Sequence, residues 1–247
     1  MRIFGLVGKS LDHSWSRKYF EEKFRREQIP DCHFENFPMD DVSEVRSLIV
    51  RKEAIAGLNV TLPFKTEVLS LMDSLNPDAE AVQAVNCVRI HRTGNSITLE
   101  GLNTDAPAFL QTLMPLLRQE IKKALVLGTG GASRAVCHAL DSMQIEYSRV
   151  SRTAGKGNYT YQDLTPGIIR KHPMIINVTP LGMKGFEGHP PPIPYEALGR
   201  NHILYDLVYN PPETIFLMRG KMAGATVVNG LEMLRIQAEL SWTAWNP

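Results

Sequence analysis

Cysteine is scarce: Cys32, Cys87 and Cys137 are the only three in 247 residues. An odd number at wide spacing excludes a disulfide framework and reads as reduced thiols in a cytoplasmic protein. Charge of one sign is equally scarce. The formal net charge is +1, so no bulk field draws the chain to nucleic acid or to an anionic membrane. No basic run interleaved with aromatics suggests nucleic-acid binding. No apolar run approaches the ~20 residues of a membrane span. The opening Met1-Arg2-Ile3-Phe4-Gly5 is interrupted too soon for a signal peptide. Repeats and low-complexity tracts are lacking, and no Cys/His cluster has metal-ligand spacing, so no metal is expected. What remains is an ordinary globular composition, long for one domain and comfortable for two.

The first half mixes periods. Strands are expected over 2–8, 32–37 and 54–60, and a helix over 14–28 with Tyr19, Phe20 and Phe24 on its apolar face. A short amphipathic helix is expected over 42–50. Thr61 and Pro63 announce a further helix running to Leu71. Strands over 85–90 and 96–100 flank Thr93-Gly94-Asn95, which reads as a hairpin. Residues 105–119 read as a helix, with Phe109, Leu110, Leu113, Leu116 and Leu117 on one side.

The second half changes style. An apolar strand over 123–127 runs into a glycine turn. Ala132, Ala135, Val136, Ala139, Leu140 and Met143 then recur at helical spacing. Strands over 147–150, 174–178, 203–208 and 226–228 follow. Strands alternating with helices argue for a parallel, doubly wound sheet. A last helix over 231–245, with Leu231, Leu234, Ala238 and Trp242 as one face, has no strand of its own and is expected to pack back onto the first domain. The proline-rich 188–194 reads as a surface loop, with a Pro-rich recognition ligand as the remote alternative.

Chemistry gathers where strands hand over to helices, the edge at which α/β sheets bind ligands. Gly128-x-Gly130 lets the chain turn tightly and bring backbone N–H groups to a pyrophosphate at the positive end of the next helix. Ser133 takes the third glycine slot of that fingerprint. An NAD-binding unit carries an acid roughly 20 residues on, for the ribose 2′-OH. Here that place reads Ser151-Arg152-Thr153. Arg152 is suited to stack on adenine and pair with a 2′-phosphate, with Lys156 adding charge, which predicts NADP over NAD. In the first half the polar candidates are Ser14, Ser16, Thr61, Lys65 and Asp105. Each has a plainer alternative: the serines, Thr61 and Asp105 as helix caps, Lys65 as a solvated side chain. His13 reads as structural or supporting.

The chain resembles the shikimate dehydrogenase family along nearly its full length. The resemblance rests on His13-Ser14-x-Ser16, Asn59-Val60-Thr61-x-Pro63-Phe64-Lys65, Ala84-Val85-Asn86, Asn103-Thr104-Asp105, Gly128-x-Gly130-Gly131-Ala132-Ser133, Arg152-Thr153, Asn177-x-Thr179, Asp206-x-x-Tyr209 and Gly230-x-x-Met233-x-x-x-Gln237. It implies an α/β protein of two domains separated by a cleft: an N-terminal substrate domain, 1–104 plus 231–247, and a Rossmann-like NADP-binding domain, 105–230. It implies reversible, NADP(H)-dependent reduction of 3-dehydroshikimate to shikimate in aromatic amino-acid (chorismate) biosynthesis, by a cytoplasmic monomer or homodimer.

By the same resemblance, Lys65 is the catalytic acid/base and Asp105 its partner. Ser14 and Ser16 hold the substrate carboxylate with Tyr209 nearby. Asn59, Thr61, Asn86, Asp105 and Gln237 hold ring hydroxyls. Gly128, Gly130, Gly131, Ala132, Ser133, Arg152 and Thr153 bind the cofactor, with Thr179, Gly230 and Met233 beside the nicotinamide. The chain departs from the family pattern at Arg17 and Glu232, where proline and glycine are usual. It departs most after Thr153, where only six residues precede Thr160 and relatives carry an additional helix and strand. Two other readings stand beside this one: a quinate/shikimate dehydrogenase paralogue acting on a related cyclic hydroxy acid, and a non-catalytic ligand-binding protein.

Overall fold

Two sheets of six strands organise the chain, each in its own compact unit: Met1–Thr104 with Gln237–Pro247, and Asp105–Ile236. The computed structural model describes residues 1–11, 14–117 and 121–246; His13 and Gln119, named above, lie outside them.

In the first unit β1 (Arg2–Gly8), α1 (Trp15–Arg26), β2 (Cys32–Pro38), α2 (Glu44–Arg51) and β3 (Ile55–Val60) form two crossovers. A two-residue β4 (Ser74–Leu75), α3 (Pro77–Val82), β5 (Cys87–Thr93) and β6 (Ser96–Leu102) follow. The sheet order is β2-β1-β3-β5-β6-β4. β1 pairs in parallel with β2 and β3, and the β5–β6 hairpin joins β3 antiparallel. Strand alternation sends Ile3 and Val7 into a core with Val45, Ile49 and Leu58, and Phe4 and Leu6 into a second core with Phe20 and Phe34 on the opposite face. The hairpin register pairs Thr93 with Ser96, and Gly94 takes φ +58° in the two-residue turn, a conformation glycine adopts without cost.

No helix starts at Pro63. The Leu62–Pro63 peptide is cis, and turns carry the chain to a 3₁₀ segment, Glu67–Leu71. Phe64 N–H donates to Thr61 O, and Val68 N–H to Phe64 O. Buried Phe64 and Val68 pull this stretch onto the sheet. Thr61 therefore caps nothing; its N–H donates to Val7 O.

In the second unit α4 (Asp105–Leu113) is followed by a 3₁₀ turn, Met114–Leu116. Proline at 115 lacks an N–H and clashes with the preceding turn, so the helix stops well short of 119. Asp105 is the first helical residue, not the one before it. Then come β7 (Lys123–Leu127), α5 (Gly131–Ser142), β8 (Glu146–Ser151), β9 (Tyr159–Thr160), α6 (Pro166–Lys171), β10 (Met174–Asn177), β11 (Ile203–Asp206), α7 (Ile215–Met222), β12 (Thr226–Val228) and α8 (Leu231–Trp245). All strands run parallel in the order β9-β8-β7-β10-β11-β12. β7, β10 and β11 are buried on both faces, as apolar runs under helices on either side should be. The winding reverses between β7 and β10, which makes a crevice outside their C-terminal ends. Between Thr153 and α6 the chain forms the two-residue β9 and a 3₁₀ turn, Tyr161–Asp163. Within 188–194, Pro191 and Ile193 are buried, and Ile193 joins the core under α7.

The closing helix passes between units: Leu231 to Ile236 count with the second, Gln237 onward with the first. There Ala238, Trp242, Ala244 and Trp245 join the Phe4 core. Trp245 stacks on Phe4 at 4.9 Å, and its indole N–H donates to Val88 O at 3.1 Å. Of the expected apolar face, Ala238 and Trp242 join that core and Leu234 is half-buried, while Leu231 is exposed. Lys23, on α1, is pinned between Glu27 and Glu239 at 2.8 Å each, which fastens α8 to α1.

Candidate active site

In the first unit the polar side chains gather at the C-terminal end of β3 and on α8. Asn59 is 4% exposed. Its Nδ2 donates to Asn86 O at 3.1 Å and to Ser241 Oγ at 2.8 Å. Its Oδ1 is buried and accepts no hydrogen bond among the described residues. Asn86 Nδ2 donates to Thr104 Oγ1 at 2.8 Å and reaches Gln237 Oε1 at 3.4 Å, while its Oδ1 accepts from Thr104 N–H at 2.7 Å. Asn103, also buried, ties back to Ala84 O. Asn59, Asn86 and Gln237, far apart in sequence, thus share one network with Thr104 and Ser241. The sequence alone assigns those last two no role. The one available signal is that Ser241 lies one helical turn beyond Gln237.

Ser14 caps α1, accepting from Arg17 N–H at 3.3 Å, so its capping role is realised. Ser16 is in the first turn, and both serines are half-buried. Lys65 is half-buried in the turn that follows the cis proline, where its carbonyl accepts from Val85 N–H at 2.7 Å. Thr61 is half-buried four residues before it.

In the second unit the remaining candidates gather at the C-terminal ends of the strands. Gly128 ends β7 at φ +125°, and a Cβ there would meet Val178 Cγ2 at 2.8 Å and Thr179 Cγ2 at 3.1 Å. Only glycine allows both that backbone and that approach of β7 to the β10 loop. Gly130 is the N-cap of α5, with no side-chain cap. A Cβ at Gly130 or Gly131 would meet nothing within 4 Å. An uncapped 12-residue helix with open space at its N-terminus is a place for an anion. Ala132 is half-buried; Ser133 is buried with its hydroxyl against Cys137 Sγ. At the end of β8, Ser151 is buried and accepts from Thr153 N–H, while Arg152 and Thr153 are exposed. These residues fit a dinucleotide whose adenosine end carries extra negative charge: N–H donors lie at the α5 terminus, and the residue that follows β8 is an arginine with no acid next to it in the sequence.

Beyond β10 and β11 lies a second buried network. Thr179 Oγ1 donates to Asn177 Oδ1 at 2.6 Å, and Asn177 Nδ2 donates to Asp206 Oδ1 at 2.9 Å. Asp206 also accepts from Val208 N–H at 3.0 Å and from Thr214 Oγ1 at 2.6 Å. Burial pushes its carboxyl up to about 6, against the pull of those three donors. Burial likewise raises the half-buried Tyr209 phenol above its ordinary value. Gly230 follows β12, where a Cβ would lie 2.2 Å from Leu207 O. Met233 is buried on α8, and Asp105 is buried at the head of α4.

A six-stranded parallel sheet wound outward from an uncapped glycine turn, with an arginine following its second strand, is the build of a nicotinamide-dinucleotide dehydrogenase. Residues 6–88 match the family model described as the shikimate dehydrogenase substrate binding domain. Shikimate dehydrogenase (NADP(+)) of Carboxydothermus hydrogenoformans is 32% identical over 262 residues, covering 99% of this chain and 91% of that protein. The protein of the same name from Pelagibacter ubique is 34% identical over 255 residues, covering 99% and 93%. The crystal structure of shikimate 5-dehydrogenase from Thermus thermophilus, in complex with NADP(H) and shikimate, matches with a TM-score of 0.86 at 29% identity, covering 100% of this chain and 94% of that one. The chain belongs to the shikimate dehydrogenase family.

Proposed function

We propose that this protein reduces 3-dehydroshikimate reversibly to shikimate with NADPH, as a step of aromatic amino-acid biosynthesis. The observation that carries the reading is the buried carboxamide network of the first unit. It leaves Asn59 Oδ1 desolvated and without a donor, a state that favours a hydroxylated ligand able to supply one. The full-length likeness to NADP-dependent shikimate dehydrogenases supports the same substrate.

We assign substrate binding to 1–104 with the closing helix, and cofactor binding to 105–230. NADPH, when bound, supplies the hydride; the turn at Gly128, Gly130, Gly131, Ala132 and Ser133 with Arg152 and Thr153 would hold it, and Thr179, Gly230 and Met233 would border its nicotinamide. Hydride addition to a carbonyl leaves a developing alkoxide that needs a proton. We assign that role to Lys65, donating in the reducing direction and accepting in the oxidising one. We assign Asp105 as its catalytic partner. Ser14 and Ser16, with Tyr209, receive the carboxylate. Asn59, Thr61, Asn86, Asp105 and Gln237 receive the ring hydroxyls. Among the described residues no helix is long and apolar enough to cross a membrane. The three buried, unpaired cysteines suit a reducing cytoplasm.

The test is a spectrophotometric assay of reduced-nicotinamide formation, with shikimate and quinate each offered with NADP⁺ and NAD⁺. The expected result is the highest kcat/KM with shikimate and NADP⁺. Faster turnover of quinate would replace the substrate. No cofactor-dependent change with either acid would remove the enzymatic reading.

A further inference from the structure

The Asn59–Ser241 pair carries an inference beyond the proposed reaction, resting on the reading of the first unit as the substrate unit. A hydroxyl has one proton to give and two lone pairs to fill. Ser241, fully buried, spends its proton on Gln237 O at 2.9 Å. Its lone pairs face Asn59 Nδ2 at 2.8 Å and Thr104 Oγ1 at 3.3 Å. Thr104 Oγ1 already accepts from Asn86 Nδ2, so its own proton is available to Ser241. The directions are therefore fixed from end to end: Asn86 to Thr104 to Ser241 to the Gln237 carbonyl, with Asn59 feeding in at Ser241. Cys87 lies against the same hydroxyl, and burial pushes its thiol up to about 12, so it stays protonated and adds no competing charge.

The consequence falls on Asn59. Its carboxamide has two orientations. The observed one gives both N–H bonds to acceptors, the Asn86 carbonyl and the Ser241 oxygen. The flipped one would set Oδ1 against the Asn86 carbonyl, acceptor against acceptor, and would leave Nδ2 without those partners. We infer that Ser241 is a positioning residue for substrate selection: by taking the second N–H of Asn59 it holds Oδ1 as a buried acceptor, so that the site selects ligands presenting a hydroxyl donor there. Asn59, read as a substrate contact, is thereby oriented by one fully buried hydroxyl oxygen.

Two measurements test this. The first needs no substrate. Side-chain amide NMR of Asn59 should show both Nδ2 protons protected from solvent exchange in the wild type and protection lost in Ser241→Ala; unchanged protection overturns the inference. The second is a kinetic cycle of Ser241→Ala, Asn59→Ala and the double variant. Ser241→Ala should raise KM for shikimate about 3- to 10-fold, the worth of one buried hydrogen bond, with KM for NADP⁺ unchanged. Asn59→Ala should then cost little more in the Ser241→Ala background. Ser241→Thr, which keeps the hydroxyl and its bond to the preceding turn, should restore KM and is the variant to use should Ser241→Ala fold poorly. Equal, additive penalties, or a KM untouched by Ser241→Ala, overturn the inference while the dehydrogenase reading stands. A wild type that ignores shikimate, with the NMR result as expected, sinks the substrate reading and leaves Ser241's hold on Asn59.

Discussion

Asp206 is the buried charge whose removal should reshape the pH dependence of stability. Its carboxyl is raised from an ordinary 3.8 to about 6 because desolvation outweighs the three hydrogen bonds it accepts. Each tenfold change in ionisation is worth ~1.4 kcal/mol, so the group carries roughly 3 kcal/mol of pH-dependent free energy. The native state holds the proton more tightly than the unfolded chain. That contribution is fully present below pH 3.8 and is lost as pH rises through about 6. Asp206→Asn cannot ionise and loses no such contribution. Its carbonyl can still accept from Asn177 and Val208, and its NH₂ then faces Thr214, whose hydroxyl must turn to accept. The advantage of the variant over the wild type should therefore grow with pH by about 1–3 kcal/mol between about pH 4 and 7. Urea denaturation of both proteins at steps across that range reads this directly. A constant difference between them would show that Asp206 does not titrate in this window, and the burial argument would fail.

Lys65→Ala should lower kcat by about 10²–10⁴ with a smaller change in KM, as loss of an acid/base group does; steady-state kinetics with near-normal turnover would refute its role. Gly57→Ala would drive a Cβ to 2.3 Å from Trp245 Cδ1, and that ring is held by Phe4 and by its bond to Val88. A loss of about 1–3 kcal/mol, typical of overpacking, should appear as a lower denaturation midpoint; an unchanged midpoint would mean that α8 docks loosely. Arg152→Ala should bring kcat/KM for NADPH and NADH closer together, chiefly through the KM for NADPH; an unchanged ratio would place discrimination elsewhere.

Much of the second unit was legible because strands buried on both faces read as unbroken apolar runs: 123–127, 174–178 and 203–208 each yielded a strand. The α5 stripe was equally plain, since Ala135, Val136, Ala139 and Leu140 all face the interior. β4 and β9 escaped because two residues cannot show a period. The stretch after Thr61 misled because proline there resembles a helix start, whereas the pull of Phe64 and Val68 on the core decides its path. In the site, motif residues announced themselves by type and place. Ser241 did not, because a serine inside a helix carries no signal until Asn59, distant in sequence, is seen to lean on it. Burial that raises the Asp206 carboxyl is likewise a property of the packed sheet and not of the local text.

The Phe4–Trp245 stack also constrains how the polypeptide is made. The first unit's core draws on segments translated before and after every strand of the second unit. A nascent chain can close its parallel sheet on the ribosome, but Phe4 and Phe20 lack their Trp245 cover until the 237–245 segment clears the exit tunnel. Chaperone protection of that waiting aromatic surface therefore matters most while the second unit is being synthesised.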